Sequence, residues 1–266
     1  MKKWKQEEDN IIKKQYKTFN KELLLRLLSD RSWGAINTRA RRLQIKRELG
    51  AAYSNITYFD NWSNEMAYVL GFIASDGSII DRTKSTGDMV LSIGLAEKDK
   101  EHLEKIRDML APNKKIWEYI KNKKFKSVCL RIGSRYMCDR LLKLGICNRK
   151  SLILEFPKIP KEHIRHFIRG YFDGDGSFGV YKKYNEARVS FCSGSKGILN
   201  SINFYINEEL KIGIKNIIYG EKAHAYYLNY FCNQSLRVCD WMYKDSDIYL
   251  DRKYEKYQKL LREKSK

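Results

Sequence analysis

Apolar residues along this chain recur with two different periods, and the switches between them mark out its elements. Near the start the period is helical. Ile11, Ile12 and Tyr16 follow the charged opening Trp4 to Asp9, and a second helical run covers Lys21 to Leu28. Ser32 is placed to cap a third helix over Trp33 to Leu43, in which Trp33, Ile36, Ala40 and Leu43 share one face. No strand pattern occurs in these first 50 residues. Later the pattern alternates. Met89 to Leu95 reads as a strand, Lys98 to Leu110 as a helix through Leu103, Ile106 and Leu110, and Phe125 to Ile132 as a strand with Val128, Leu130 and Ile132 on one face. Ser134 caps a further helix carrying Met137, Leu141 and Leu142, which Gly145 can end.

The same order then returns. Tyr68 to Ile80 and Phe167 to Gly179 match each other, and their Asp-Gly-Ser triplets begin at Asp76 and Asp175, 99 positions apart. That spacing is the size of a small domain, so the chain is a duplication. After the second copy come a strand over Arg188 to Ser193, a helix over Lys196 to Ile206, a strand over Ala225 to Phe231 and a helix over Ser235 to Tyr243. Each half reaches a basic pair, Arg149-Lys150 and Arg252-Lys253, and Pro157 and Pro160 lie in the short connection. The prediction is an α+β protein of two pseudo-symmetric αββαββα halves, preceded by a small all-α three-helix unit.

Each repeated motif is an apolar helix ending in an acid, with a glycine five positions earlier, Gly71 or Gly170. Glycine inside a helix costs about 1 kcal/mol relative to alanine, and close approach of two helix backbones gives both glycines a reason. Parallel packing would bring Asp76 and Asp175 side by side. Two adjacent carboxylates repel and are stabilised by a cation, and oxygen ligands at a phosphate-handling site favour Mg²⁺. Gly77 and Gly176 let the chain turn out of each helix. One such motif alone is merely a helix end with an acid before a glycine; the duplication gives it weight. A calcium loop starting at Asp173 fails, because Phe178 and Tyr184 stand where glycine and glutamate are needed.

Charge narrows the partners. The 52 Lys and Arg outnumber 32 acids, giving +20 and a pI near 9.6, spread along the chain. A polyanion such as a nucleic-acid backbone suits that field; a lysine-heavy surface without a partner is the plain alternative. Apolar content of 43% and aromatic content of 13% argue against disorder. No apolar run is long enough for a membrane span, and the charged start has no secretory core, so a cytoplasmic or organellar interior is expected. The six cysteines form no C-x-x-C pair and read as free and structural, and His163 and His166 as surface or packing residues.

The runs Val69-Leu-Gly-Phe-Ile-Ala-Ser-Asp-Gly77 and Ile168-Arg-Gly-Tyr-Phe-Asp-Gly-Asp-Gly176 resemble the two motif copies of single-chain LAGLIDADG homing endonucleases. The resemblance implies saddle-like antiparallel sheets over the major groove of double-stranded DNA. It also implies Asp76 and Asp175 as catalytic metal ligands for Mg²⁺ or Mn²⁺, one for each strand, and a monomer as the working unit. Ala74 departs from the motif where the second copy keeps Asp173; in the family that position is not a metal ligand. Arg169 replaces a small residue beside the interface glycine and would have to point outward or toward the partner helix's backbone carbonyls. The family places a basic residue near each centre, for which Lys150 and Lys253 are the candidates, while Arg131, Arg188 and Ser190 on strand faces can reach DNA or be solvated. The alternatives are a maturase acting on its own intron RNA and a non-cleaving DNA-binding regulator. An intein-resident nuclease is disfavoured by a start at Met1 without a splicing Cys or Ser.

The first three helices resemble the Myb/SANT type of helix-turn-helix, down to the opening Trp4-Lys-Gln-Glu-Glu-Asp9. That implies a last helix in the major groove, with Arg39, Arg41, Arg42, Lys46 and Arg47 toward DNA; similar units also bind protein tails. The expected layout is a head over 1–50, a linker over 51–61, a first half over 62–157 and a second half over 158–266.

Overall fold

The computed structural model describes residues 4–16, 21–45, 54–82, 88–121, 124–147, 152–181 and 186–264. Three helices come first, α1 (Gln6–Gln15), α2 (Lys21–Leu27) and α3 (Trp33–Arg42). The Ser32 hydroxyl accepts from the Ala35 amide at 3.2 Å, which caps α3. Ile12, Tyr16, Leu24, Leu28, Ile36 and Ala40 form a small core of their own. Residues 54–61 fall in the stretch read as a linker, and they are docked onto the first half. Phe59 is fully buried in the main core, Arg140 Nε donates to its carbonyl at 3.0 Å, and the Tyr58 hydroxyl reaches the Met109 sulfur.

The first half runs α4 (Asn64–Asp76), β1 (Gly77–Arg82), β2 (Asp88–Ala96), α5 (Lys100–Leu110), β3 (Ile116–Lys121), β4 (Phe125–Gly133) and α6 (Arg135–Lys143). The second repeats the order with α7 (Ile164–Asp175), β5 (Ser177–Tyr181), β6 (Glu186–Ser193), α8 (Lys196–Leu210), β7 (Ile217–Gly220), β8 (Ala225–Phe231) and α9 (Cys232–Tyr243). Each half builds an antiparallel four-stranded sheet, ordered β1-β2-β4-β3 in one and β5-β6-β8-β7 in the other. The duplication read from two short motifs thus extends to the topology. Ser63 and Ser134 hydroxyls cap α4 and α6, and Gly145 ends α6 at a φ of +92°.

Alternation sets the two faces of each sheet. Val128, Leu130 and Ile132 enter the core, while Ser127, Cys129 and Arg131 lie on the other face, opposite Ala96, Gly94 and Ser92 of β2. Helix α4 is buried from Met66 through Ala74, on all its sides. An all-round apolar helix belongs inside a protein, and α4 lies against α7 in one continuous core drawn from both halves. A last helix, α10 (Asp251–Lys264), has no counterpart in the predicted repeat; Tyr257 and Leu260 bury its inner face. Among the described residues no helix is long and apolar enough to cross a membrane, and all six cysteines are free.

Candidate active site

The site begins with two missing side chains. A Cβ added at Gly71 would collide with the carbonyl of Phe167, and one added at Gly170 with the carbonyl of Tyr68. Each motif helix therefore leaves room for the other's backbone. The neighbours advance together along both helices, since a Cβ at Gly174 would strike Ser75 Oγ and Asp76 Oδ2. Helices α4 and α7 accordingly run parallel, and their last residues, Asp76 and Asp175, emerge at the same end. Gly77 and Gly176 then turn straight into β1 and toward β5, at extended backbone angles.

Asp175 is exposed and Asp76 half-buried. Both lie within electrostatic reach of Tyr171, whose hydroxyl burial pushes its pKa up, and of Lys253. The donors at this end are oxygens: two carboxylates and the Ser75 hydroxyl. Among the described residues no three His, Cys, Asp or Glu side chains cluster as a closed metal cage. Two carboxylates at an open helix end fit a hard cation that keeps water or phosphate in its other positions, as Mg²⁺ does.

Lys253 approaches the same place from beneath. It is 3% exposed, and its Nζ donates to the carbonyls of Phe172 at 2.6 Å, Asp173 at 2.8 Å, Gly174 at 3.3 Å and Gly176 at 2.5 Å. These are carbonyls at the end of α7, so Lys253 fastens that end and complements its dipole. Burial pushes its amine down to about 8. Its protons face the backbone oxygens of that helix end. Lys150, together with Lys46 and Arg47, lies outside the described residues.

Asp173 is buried below its exposed neighbour Asp175. Tyr68 and Tyr243 hydroxyls donate to it at 2.8 and 2.7 Å, and the Leu250 amide at 2.8 Å. This acid binds the halves together. Arg169 is 1% exposed and gives Nε to the Ile248 carbonyl and Nη1 to the Met242 carbonyl, both at 3.1 Å. It thus took backbone carbonyls, though from the C-terminal segment of its own half. Burial and the adjacent arginine push His166 down to about 3, so it stays neutral and accepts from Arg169.

A cleft of about 710 Å³ opens beside Asp76, walled by the outer face of the first sheet on one side and by Gly174, Leu250 and Arg252 on the other. Arg131 lies in it, exposed. Arg188 occupies the corresponding face of the second sheet, half-buried, but Ser190 is only 3% exposed. Ser190 shares the strand face of Arg188 and pairs across the sheet with Ser177 and Asn229, yet its side chain is buried. In the head, Arg41 and Arg42 are exposed, whereas Arg39 is held by Asp9, at 2.7 Å from Nε, and leans on Trp4. Arg39 therefore knits α3 to α1, a demand that its sequence spacing does not reveal. Arg252 also lines the cleft, and its signal in the sequence was the basic pair it forms with Lys253.

Against known proteins, the LAGLIDADG-like domain profile matches residues 63–153 and 162–240. The chain belongs to the LAGLIDADG family. Among solved structures, this LAGLIDADG protein is similar to the meganuclease I-SmaMI bound to uncleaveable DNA, with a TM-score of 0.51 and 14% identity over 73% of this chain and 88% of that one. It is also similar to the LAGLIDADG homing endonuclease I-GzeII in complex with its DNA target, with a TM-score of 0.50 and 12% identity over 76% and 89%. At such identities the likeness is one of fold. Among curated proteins it matches segments of two from Methanocaldococcus jannaschii. One is reverse gyrase, 28% identical over 64% of this chain; the other is the DNA-directed RNA polymerase subunit Rpo1C, 31% identical over 52%. The matched segments span only 10% and 15% of those proteins.

Proposed function

We propose that this LAGLIDADG protein is a site-specific endonuclease that cuts both strands of duplex DNA with a divalent cation, Mg²⁺ or Mn²⁺. The observation that carries the reading is the emergence of Asp76 and Asp175 together from the reciprocal glycine contact of α4 and α7. Family membership and the DNA-bound state of I-SmaMI and I-GzeII support it.

In this reading Asp76 and Asp175 hold the cation, one acid serving each strand. A bound divalent cation supplies activated water and positive charge at the leaving oxygen of a phosphodiester. Lys253 fixes the end of α7, so that Asp175 keeps its position when DNA arrives. Arg131 and Arg188 reach into the major groove from the two sheets, and the net charge of +20 draws in the backbone. The three-helix head is a second DNA-binding unit, acting through Arg41 and Arg42 and raising the local concentration of the nuclease at its site. Both halves reside in one chain, so the monomer suffices.

A second reading is an RNA-binding maturase. It draws on Trp117, Tyr119 and Phe125, exposed aromatics able to stack on unpaired bases. Incubation with a randomised duplex library, in Mg²⁺ and in EDTA, separates the two. The nuclease reading expects one family of sequences to be cut on both strands in Mg²⁺ alone; no cutting beside specific RNA binding favours the maturase.

A further inference from the structure

Arg252 and Lys253 are adjacent, and they turn in opposite directions. The lysine goes inward to α7, while the arginine crosses to the first half. Arg252 Nε donates to Asp99 Oδ1 at 2.7 Å and Nη2 to Asp99 Oδ2 at 3.1 Å. Asp99, just before α5, is 8% exposed, so the acid that grips the guanidinium is itself fixed. Asp251 makes a second crossing, accepting from Lys105 Nζ at 2.8 Å. Three successive residues are thus anchored on three sides.

A guanidinium has five N–H donors in one plane, and the carboxylate of Asp99 takes two of them. The Arg252 side chain remains 38% exposed. The surface it leaves open lines the cleft that also holds Asp76, together with Lys126 and Arg131. A cation whose position is set in advance loses little entropy on meeting a phosphate, and its flat fork suits two phosphate oxygens.

We infer that Arg252 binds a backbone phosphate of the DNA strand lying in the cleft of Asp76, so that each of the two halves contributes to that one site. The inference rests on the nuclease reading and names a residue for it. It also makes the two sites unequal. The site of Asp76 borrows a cation from the start of α10, the last helix of the second half.

The test uses the full chain and the duplex that the wild type selects from a randomised library, with the two strands carrying different labels. Arg252→Gln is expected to slow cutting of one strand by about tenfold or more, leaving a nicked product. The slowed strand is the one that Asp76→Asn leaves intact; the other is cut at the wild-type rate. Arg252→Lys, which keeps the charge but loses the fork to Asp99, restores only part of the lost rate. Lys105→Gln breaks the neighbouring crossing from Asp251 and leaves both strands cut as before. The inference is overturned if Arg252→Gln slows both strands equally or neither. It is also overturned if Lys105→Gln reproduces the defect, since the triplet would then be only a strut between halves. A wild type that cuts no duplex in the library removes the nuclease reading itself, and this inference with it.

Discussion

The Tyr68 hydroxyl donates to Oδ2 of Asp173 at 2.8 Å, a bond that crosses from one motif helix to the other. Tyr68 has one proton to give, so His102, whose Nε2 is 3.0 Å from the same oxygen, donates to it. Burial holds His102 neutral, its pKa pushed down to about 4. Tyr68→Phe leaves the histidine N–H without its acceptor and removes one donor from a buried carboxylate. An unmet buried polar group costs about 1–3 kcal/mol, and a urea unfolding curve should show a loss of that order. An unchanged midpoint would mean that the buried network does not tie the halves together.

The two interface glycines predict a sharper loss. Alanine at Gly71 or Gly170 places a methyl in the opposite helix's carbonyl, which only a shift of the whole helix can relieve. Overpacking of this kind typically costs about 1–3 kcal/mol, and here it also displaces Asp76 from Asp175. Gly179→Ala is the control, because a Cβ there meets nothing within 4 Å. Thermal melts and cutting assays should separate the first two variants from the third.

The head carries its own pH dependence. Arg31 donates to Glu8 at 2.7 and 2.9 Å, and this pairing pulls the Glu8 carboxyl from near 4.5 down to about 2. Arg39 lowers Asp9 in the same way. A carboxylate depressed by folding stabilises the fold above its unfolded value and loses that contribution as pH falls through the folded one. The head is therefore expected to lose stability as pH falls from about 4.5 to 2. The NMR signal of the Trp4 indole, stacked on Arg31, reports it; a signal unchanged across that window would contradict the assignment.

If Arg131 reads a base edge, Arg131→Ala should relax specificity at one base pair, a discrimination worth about 1–3 kcal/mol. Cutting profiles over a library of single-position variants would show it. Uniform weakening at every position would instead make Arg131 a backbone contact.

Much of this architecture was legible because it is periodic. Duplicated acids at domain spacing, alternation in Phe125 to Ile132 and the caps Ser32 and Ser134 are local patterns with local causes. What escaped depends on neighbours remote in sequence. The strand parity of Ser190 is right, yet the residue is buried. Lys253 and Arg252 look interchangeable as a basic pair, and only the end of α7 and the buried Asp99 decide which one turns inward. Helix α10 did carry a readable signal, since Tyr254, Tyr257, Leu260 and Leu261 recur at helical spacing. The first half has nothing like it, and a reading built on the repeat stops where the repeat stops.

The central claim is that Asp76 and Asp175 act as one pair on two strands. It is tested by strand-resolved cutting of the selected duplex by Asp76→Asn and Asp175→Asn in Mg²⁺, with DNA binding measured in parallel. The account predicts that both variants still bind, that neither makes a double-strand break, and that any remaining nicks fall on opposite strands. Double-strand cutting that survives either change, or that continues in EDTA, would contradict it.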